Sequence, residues 1–372
     1  MSISPRVRLY GHVLGESSFT QVTRGMKLAL EAIGEFAGLW PIDTEEGEGE
    51  ASGMSAPVSL NLGNPRALLQ AHRYGGHQKH WLLLAPNSEG LPHGFAEALS
   101  APSEVLPKGM LTGGLLTPSH WAAGVLAPYF PEHRILVAPH GVSPVHRVDA
   151  VARDFVRTSY ADGYFRVLHM TSTDAERKGT KLLLRAWADL KRKRLLPERA
   201  ILFVFMNPIA LGRVRWWCRE LELTEKDVTV CAGFTTGQDG VAELYSAMHV
   251  VCQPSRAEGF GLVPLEALAC GVPVVATAGT GHTEYVGSDL FSSEVPGGFM
   301  PVIAWPPTSI DDYPGAVAPR VEAEDIGTAL KDTYDDWRML ARIAERAAPE
   351  LAEKWDWKTV SRLALEEMVK ET

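Results

Sequence analysis

A strand, a glycine-rich turn and a helix follow one another within residues 249–275, and this order constrains the fold more than any other part of the chain. The run HVVCQPS is apolar at its centre, as a strand buried on both faces is. Gly259 and Gly261 then form a turn whose backbone a ligand can approach closely, and Pro264 suits the first turn of a helix that begins near Leu262. A strand that leads through a tight turn into a helix is the repeating unit of a parallel α/β sheet.

The same alternation extends over the whole chain. Its 372 residues, 45% of them apolar, exceed one ordinary core and predict two domains. We expect an α/β protein with two doubly wound, Rossmann-like domains, at residues 1–155 and 156–350, followed by a terminal helix at 351–372. The strands are predicted in RVRLYGHV, APVSLNL, HWLLLAPN, GGLLTPS and RILVAPHGV, and then in FRVLHMTST, AILFVFMN, DVTVCAGF, HVVCQPS and VPVVAT.

Four further segments carry structural expectations. The segment GESSFTQVTRGMKLALEAIGEF predicts one helix that runs through Phe36. Residues 287–320, rich in Pro, Gly and Asp, predict an irregular insertion. Helices are expected near Ala323–Tyr334 and Ala341–Glu353, and KWDWKTVSRLALEEMVK predicts a single amphipathic helix at the end.

Composition excludes several classes. The formal charge of −9 argues against nonspecific coating of nucleic acid. The four cysteines have no metal-ligand spacing, which indicates buried free thiols in a reducing compartment. No apolar run reaches the length of a membrane span, and the start lacks the apolar core of a signal peptide. We therefore expect a cytoplasmic protein.

The turn itself suggests a ligand. Free N–H groups at the start of the helix favour an anion, phosphate above all. Glu258 lies just before this helix and Glu266 about one turn into it, and carboxylates accept hydrogen bonds from the hydroxyls of a polyol. The start of the helix and the two glutamates together predict a pocket for a sugar joined to a phosphate. The alternative is that Glu258 caps the helix and that Glu266 is a solvated surface residue.

The spacing EGFGLVPLEALACGVPVV and the following TAGTGHTEYV resemble the donor-binding signature of retaining glycosyltransferases with the GT-B fold, the group that includes glycogen synthases and bacterial mannosyl- and glucosyltransferases. The resemblance implies two domains that face each other across a cleft, and a terminal helix, at residues 351–372, that crosses back to the first domain. It also implies that Glu258 contacts hydroxyls of the transferred sugar and that Glu266 holds the ribose. The donor diphosphate would be surrounded by the backbone of the turn and of the first helical residues, here Gly259, Phe260, Gly261 and Leu262.

A second element of that family is matched by TSTDAERKGTKLLLRAW. Lys178 stands at the entrance of a helix, where a compact charge suits a leaving diphosphate, and is predicted to act with Glu258 in catalysis. The family usually has an arginine six residues before this lysine, where this chain has Ser172. Arg177 is a candidate to substitute for it, and the hydroxyls of Ser172 and Thr173 with backbone N–H groups are the alternative. The alternative is that Lys178 is a solvated surface lysine.

The remaining candidates rest on weaker signals. Gly15 follows the first strand, although no second glycine stands at dinucleotide spacing, and it is assigned to the donor site. Phe234 lies where the family covers the nucleobase, but it is equally compatible with the core. Acceptor contacts are assigned to Asn87, Ser88 and Glu89. No metal site and no cofactor are expected, and a UDP-sugar is the default donor.

The resemblance thus implies a retaining hexosyltransferase that moves a sugar from a nucleoside-diphosphate sugar to a hydroxyl acceptor. A soluble acceptor is favoured, and a hydroxylated nucleic-acid base stays open because residues 1–150 carry a slight positive balance outside the acidic stretch 43–50. The alternatives are a sugar-nucleotide epimerase and a non-catalytic sugar-nucleotide binding protein of the same fold; a dinucleotide oxidoreductase is the weakest. The acceptor, the donor sugar and the oligomeric state are left open.

Overall fold

A computed structural model describes residues 6–11, 18–41, 56, 58–62, 77, 79–85, 113–172, 174–233, 237–277, 280–285, 305–310 and 313–370. The chain divides into two compact units. The first comprises Met1–Ser143, Asp311–Ala316 and Lys354–Thr372, and the second comprises Pro144–Ile310 and Val317–Glu353.

The first unit is built on a six-stranded parallel sheet in the order β2-β1-β3-β4-β5-β6. All five residues of the third strand are buried, as expected of a parallel strand covered on both faces. The elements are β1 Val7–Gly11, α1 Ser18–Ala32, β2 Phe36–Pro41, β3 Val58–Leu62, β4 Lys79–Leu83, β5 Gly114–Thr117, α2 His120–Leu126 and β6 Ile135–Val137.

The first helix is shorter than predicted. It ends at Ala32, and Gly34 adopts a left-handed conformation with φ of 74°. A glycine in this conformation is a common way to terminate a helix, and it redirects the chain here. Phe36 accordingly begins β2, so the prediction that the helix runs through Phe36 is wrong.

The second unit has a five-stranded parallel sheet in the order β11-β10-β7-β8-β9. Its strands and helices alternate along the chain as predicted. The elements are α3 Ala150–Ala161, β7 Tyr164–Thr171, α4 Thr180–Arg192, β8 Arg199–Met206, α5 Leu211–Glu220, β9 Val228–Ala232, α6 Gly237–Ser246, β10 Val250–Gln253, α7 Leu262–Ala269 and β11 Val274–Ala276, with short 3-10 turns at Pro208–Ala210 and Gly281–Glu284.

The border between the units lies nearer the start of the chain than residue 155. Arg153 of α3 has a fully buried side chain whose Nη1 donates to the carbonyls of Ser246 and Met248, while its Nε bonds to Glu345. These contacts place the whole of α3 in the second unit, because a buried guanidinium requires its hydrogen-bond partners to be fixed around it.

Residues 287–320 are not irregular throughout. Strands β12 Trp305–Ile310 and β13 Tyr313–Arg320 form a separate two-stranded sheet. Their prolines had argued against strands. A two-stranded sheet consists of edge strands alone, however, and proline is tolerated there because its missing N–H can face away from the partner.

Helices α8 Ala323–Asp335 and α9 Trp337–Lys354 complete the second unit. Trp337 anchors α9, since its buried ring donates through Nε1 to the carbonyl of His249 at 2.8 Å. The acceptor, His249, lies directly before β10, so this bond ties the helix to the strand that leads into the glycine-rich turn.

The predicted terminal helix is two helices, α10 Trp357–Val360 and α11 Arg362–Lys370. They are separated at Ser361, whose hydroxyl donates to the carbonyl of Pro139 at 2.6 Å. Trp357 packs against two glycines of the first unit, Gly25 and Gly141, where any side chain would collide with it. Among the helices that the structure describes, none is both long and apolar enough to cross a membrane.

Candidate active site

The second sheet reverses its direction of winding between β7 and β10. From β7 the chain adds β8 and β9 on one side, and then it returns to place β10 and β11 on the other. Ligands of doubly wound sheets bind at such a switch point, beyond the carboxyl ends of the two strands, because the loops that follow diverge there. The loop after β7 contains Ser172, Arg177 and Lys178, and the loop after β10 contains the predicted glycine-rich turn.

These two loops touch at Gly179. It has φ of 72°, and a Cβ at this position would lie 2.0 Å from the carbonyl oxygen of Pro254. The backbone N–H of Arg256 also donates to the carbonyl of Arg177 at 2.7 Å. The backbones of the loop after β7 and the loop after β10 are therefore in direct contact. This contact fixes the positions of the side chains on both loops.

Gly261 is the residue at which the turn becomes helix α7. The helix begins at Leu262, as predicted, and no side chain caps it. The alternative that Glu258 is a helix cap is therefore wrong. Gly261 has φ of 85°, and a Cβ there would lie 2.1 Å from Cδ2 of His282, so only glycine fits.

Glu258 is buried, with 6% of its surface exposed, and it is surrounded by donors. The Lys178 ammonium and the Ser255 hydroxyl, the latter at 2.9 Å, both donate to its Oε1. Arg177 Nη1 lies 3.6 Å from Oε2. Burial alone would raise the pKa of this carboxyl, but the two cations outweigh burial and lower the pKa to about 2. Glu258 is thus held as an anion.

The two cations are themselves largely enclosed. Burial lowers the pKa of Lys178, and the charge of Glu258 opposes that effect. The side chain of Lys178 is 15% exposed, so the alternative of a solvated surface lysine is wrong. Arg177 is fixed by Nε to Asp174 at 3.1 Å and by Nη1 to the carbonyl of Ala257 at 2.8 Å.

Ser172, at the position where the resembling family has arginine, has a local role. Its hydroxyl accepts from the backbone N–H of Asp174 at 3.3 Å. The positive charge beside Glu258 is instead supplied by Arg177 together with Lys178.

Glu266 is also buried, with 5% of its surface exposed, so it is not the solvated residue of the alternative. The hydroxyl of Tyr245 on α6 donates to its Oε2 at 2.9 Å, and Nε2 of His146 lies 4.0 Å from its Oε1. Burial raises the pKa of Glu266, while His146 and the Tyr245 hydrogen bond act in the opposite direction.

A third segment, Thr280–Tyr285, closes around the turn. The N–H of Gly281 donates to the carbonyl of Glu258 at 2.9 Å, and the Tyr285 hydroxyl donates to the carbonyl of Gly261. The buried ring of His282 lies under Gly261. The segment TAGTGHTEYV contributes to the family resemblance, but no role is predicted from the sequence for any of its side chains, and neither Tyr245 nor His146 is predicted as a site residue.

The other predicted residues divide into two groups. Gly259, Phe260, Gly261 and Leu262 form the turn and the start of α7, and Phe260 packs on Tyr285 with ring centroids 5.3 Å apart. The remaining assignments lie outside the described residues, namely Gly15, Phe234, Asn87, Ser88 and Glu89. Within the described ranges, no group of three or more His, Cys, Asp and Glu side chains is placed to hold a metal ion.

Comparison with known proteins agrees with this geometry. The profile of the family described as "Family 4 Glycosyltransferase in conflict systems" matches residues 126–363, which is more than half of the chain. The chain belongs to this glycosyltransferase family. The matched stretch contains all three segments of the site, from the loop after β7 to Thr280–Tyr285.

Curated relatives of this glycosyltransferase match over part of their length. A D-inositol 3-phosphate glycosyltransferase of Kribbella flavida is 36% identical over 126 residues, which are 34% of this chain and 24% of the relative. A GDP-mannose-dependent alpha-(1-6)-phosphatidylinositol monomannoside mannosyltransferase of Mycolicibacterium smegmatis is 29% identical over 222 residues, 57% of this chain and 50% of the relative. The match thus covers half or less of the length of each relative.

Solved structures extend the likeness to the whole chain at the level of fold. Sucrose-phosphate synthase from Thermosynechococcus elongatus has a TM-score of 0.71 at 15% identity and covers 99% of this chain and 98% of its own. Anabaena HepE, solved with UDP and glucose, has a TM-score of 0.66 at 14% identity, covering 99% and 100%. The glycosyltransferase therefore has the two parallel-sheet α/β domains of the GT-B fold.

Proposed function

We propose that this chain transfers a sugar from a nucleoside-diphosphate sugar to a hydroxyl acceptor, with retention of anomeric configuration. The observation that carries the proposal is the grouping of Lys178, Arg177 and the N-terminal end of α7 around Glu258 at the switch point of the second sheet. Two cations and a helix N-terminus favour a diphosphate, and a buried anion beside them favours sugar hydroxyls.

The chemistry requires negative charge to be stabilised on the leaving group. The bond between the anomeric carbon and the phosphate oxygen breaks, and a bond from the acceptor oxygen to that carbon forms. Lys178 and Arg177 stabilise the charge that develops on the diphosphate, together with the first N–H groups of α7. The proton of the acceptor hydroxyl passes to the leaving phosphate oxygen on the same face of the sugar, which is the route that retention requires.

Glu258 has an orienting part in this proposal. Its pKa of about 2 makes it a poor proton acceptor at neutral pH. The low pKa instead suits a carboxylate that accepts hydrogen bonds from sugar hydroxyls and so keeps the anomeric carbon directed toward the acceptor. The donor diphosphate and Glu258 then share Lys178, so donor binding adds a second anionic partner to this lysine.

We propose UDP as the nucleotide, with no metal and no further cofactor. HepE was solved with UDP and glucose, which supports uridine; the mannosyltransferase relative uses GDP-mannose, which keeps guanosine as the second candidate. For the acceptor we propose a soluble hydroxyl compound. A hydroxylated nucleic-acid base is a further candidate, because residues 1–150 are slightly basic outside one acidic stretch.

Incubation with donor alone tests the proposal against its two rivals. The purified protein is mixed with UDP-, GDP- and ADP-sugars, and nucleotide and sugar products are separated by chromatography. Slow release of nucleoside diphosphate and free sugar supports a transferase, because water substitutes for the acceptor. An altered stereocentre in intact donor would indicate an epimerase, and tight binding without turnover would indicate a binding protein.

A further inference from the structure

Positive charge is concentrated in one short part of this acidic chain. Residues 181–219 contain ten Lys and Arg against two Asp and Glu, although the whole chain has a formal charge of −9. These residues form most of α4, the strand β8 and most of α5. The ten cations are Lys181, Arg185, Lys191, Arg192, Lys193, Arg194, Arg199, Arg213, Arg215 and Arg219. A basic segment of this kind in an acidic protein indicates a surface for a polyanion.

Helices α4 and α5 lie side by side. The chain runs from β7 through α4 to β8 and from β8 through α5 to β9, and it moves in the same direction across the sheet both times. Right-handed crossovers therefore place both helices on one face of the sheet. The Lys181 ammonium of α4 lies 5.8 Å from the ring centroid of Trp217 of α5, and Lys181 and Arg185 line one cavity with Trp217, Glu220 and Leu221. One extended ligand can thus contact the charges of both helices.

Ion pairs within the fold neutralise only a minority of the ten cations. Carboxylates lie 3.9 Å from Lys181, 3.5 Å from Lys191 and 2.8 Å from Arg192. Six others are exposed and have no ion pair or side-chain hydrogen bond with any residue that the structure describes. These six, the basic surface, are Arg185, Lys193, Arg194, Arg213, Arg215 and Arg219. Like charges one helical turn apart repel each other, so a bound polyanion would stabilise this surface.

Trp216 lies between the arginines of α5. It is 47% exposed, while the neighbouring Trp217 is buried in the core of the second unit. Arginine guanidinium groups bind phosphate oxygens in pairs, and unpaired bases stack on aromatic rings. In a duplex the bases already stack on one another. An exposed ring among arginines therefore favours a single strand over a duplex.

We propose that α4 and α5 bind a single-stranded nucleic acid, with its phosphates on the basic surface and a base stacked on Trp216. RNA and DNA share this chemistry, so the inference covers both. Glu220 lines the cavity between the helices, which places the phosphates on the exposed arginines and not inside that cavity. The basic surface and Trp216 are separate from the candidate active site, so the inference does not rest on the proposed function.

An anionic membrane is the main competing partner. A helix that lies on a membrane inserts its apolar face into the lipid. In α4 and α5 this face is already packed in the core of the second unit, through Leu183, Leu184, Trp187, Val214 and Trp217. The large apolar residues exposed beside the basic surface are few, namely Leu195, Ile209 and Trp216. The surface therefore suits a polar, charged chain better than a lipid surface.

Fluorescence anisotropy with labelled oligonucleotides of about 20 nucleotides tests the inference. The probes are single-stranded RNA, single-stranded DNA and duplex DNA, titrated at several salt concentrations without sugar nucleotide, and phosphatidylserine vesicles test for membrane binding. The first variant, the α5 triple variant, combines Arg213→Gln, Arg215→Gln and Arg219→Gln. The matched α9 control makes the same change at three exposed arginines of another helix in the same unit, Arg338, Arg342 and Arg346. The third protein is Trp216→Ala, and thermal melting checks that each variant is folded.

We expect the wild type to bind a single strand more tightly than the duplex, with an affinity that falls as salt rises. The slope of log affinity against log salt should be smaller by about 2 in the α5 triple variant, because each phosphate contact on a single strand contributes about 0.7. Trp216→Ala should bind about tenfold more weakly with an unchanged slope, since stacking is not ionic. The α9 control should keep the wild-type slope.

Four results would overturn the inference. The first is a wild type that binds neither single strand at about 50 mM salt. The second is a slope that the α9 control lowers as much as the α5 triple variant does or, should the latter not fold, as much as Lys193→Gln combined with Arg194→Gln does. The third is Trp216→Ala with wild-type affinity, and the fourth is binding to vesicles but not to oligonucleotides. A protein without donor hydrolysis leaves this test unaffected, so its failure is distinguishable from that of the proposed function.

Discussion

The ammonium group of Lys178 donates a hydrogen bond to the carboxylate of Glu258, and the two residues are 80 positions apart in the chain. The pair joins the loop after β7 to the loop after β10 at the point where the second sheet reverses its winding. Each residue lies in surroundings that would penalise its charge if it stood alone. The site therefore depends on both residues.

Lys178→Met should lower the rate of sugar transfer or donor hydrolysis by about 100-fold or more, because the leaving diphosphate loses a preorganised charge. Single-turnover release of nucleoside diphosphate from labelled donor measures this directly. The control is Lys181→Met on α4, the helix that follows Lys178, since Lys181 lies over the ring of Trp217 at 5.8 Å and is 32% exposed. A Lys178→Met enzyme within about threefold of the wild type would contradict the role given to this lysine.

Glu258 should contribute a pH-dependent part of the stability. Its pKa is about 2 in the folded chain against an ordinary 4.5, so the unfolded chain takes up a proton at higher pH than the folded chain does. Stability from this group is present above pH 4.5 and is lost as pH falls toward 2. Between pH 5 and 3 the wild type should lose about 2 kcal/mol of unfolding free energy more than Glu258→Gln.

Urea unfolding at several pH values, followed by tryptophan fluorescence, measures that difference. Buried histidines that both proteins share also change the stability with pH, and their contribution cancels in the comparison. One of them is His169, whose pKa burial lowers to about 4. An equal loss of unfolding free energy in both proteins between pH 5 and 3 would show that the pKa of Glu258 is not lowered.

Gly261→Ala should destabilise the second unit and abolish donor binding. The new Cβ would need φ of 85° and would lie 2.1 Å from the ring of His282, which is buried and cannot move aside freely. We expect a loss of at least about 1 kcal/mol in unfolding free energy. Gly212→Ala is the control, because that helical position has open space around it and should gain about 0.5–1 kcal/mol. Normal donor affinity in Gly261→Ala would contradict the claim that only glycine fits at this position of the turn.

Trp357→Ala should unfold or strongly destabilise the first unit. The ring fills the space left by Gly25 and Gly141 and is 4% exposed, so its removal leaves a cavity that costs about 3–5 kcal/mol. Trp216→Ala is the matched control on α5, where the ring is 47% exposed and little is lost. Thermal melting of the two variants compares them, and similar midpoints would show that the terminal segment is not anchored through this ring.

The sequence predicted the fold best where a few neighbouring residues determine the backbone conformation. Gly261 and Pro264 identified the start of α7 to the residue, because a left-handed turn and a first-turn proline leave few alternatives. Local patterns misled where they were ambiguous: the apolar spacing of α1 continues toward Phe36, and only Gly34 marks the break that separates helix from strand.

The partners of the charged residues were the part that the sequence could not supply. The roles of Glu258 and Glu266 were inferred from spacing and resemblance, but Tyr245 and His146 reach Glu266 from other elements. Such contacts are set by how helices and strands pack in three dimensions, and no periodicity in one segment encodes them. Arg177 is an intermediate case, since its nearness to Lys178 suggested it while its bond to Ala257 could not be foreseen.

Steady-state release of nucleoside diphosphate from a labelled sugar nucleotide, measured for the wild type, Glu258→Ala and Glu266→Ala, tests the central claim most directly. We predict that Glu258→Ala abolishes release although the protein stays folded, and that Glu266→Ala raises KM about tenfold with kcat within about threefold of the wild type. A folded Glu258→Ala enzyme that releases nucleoside diphosphate at the wild-type rate would contradict the account.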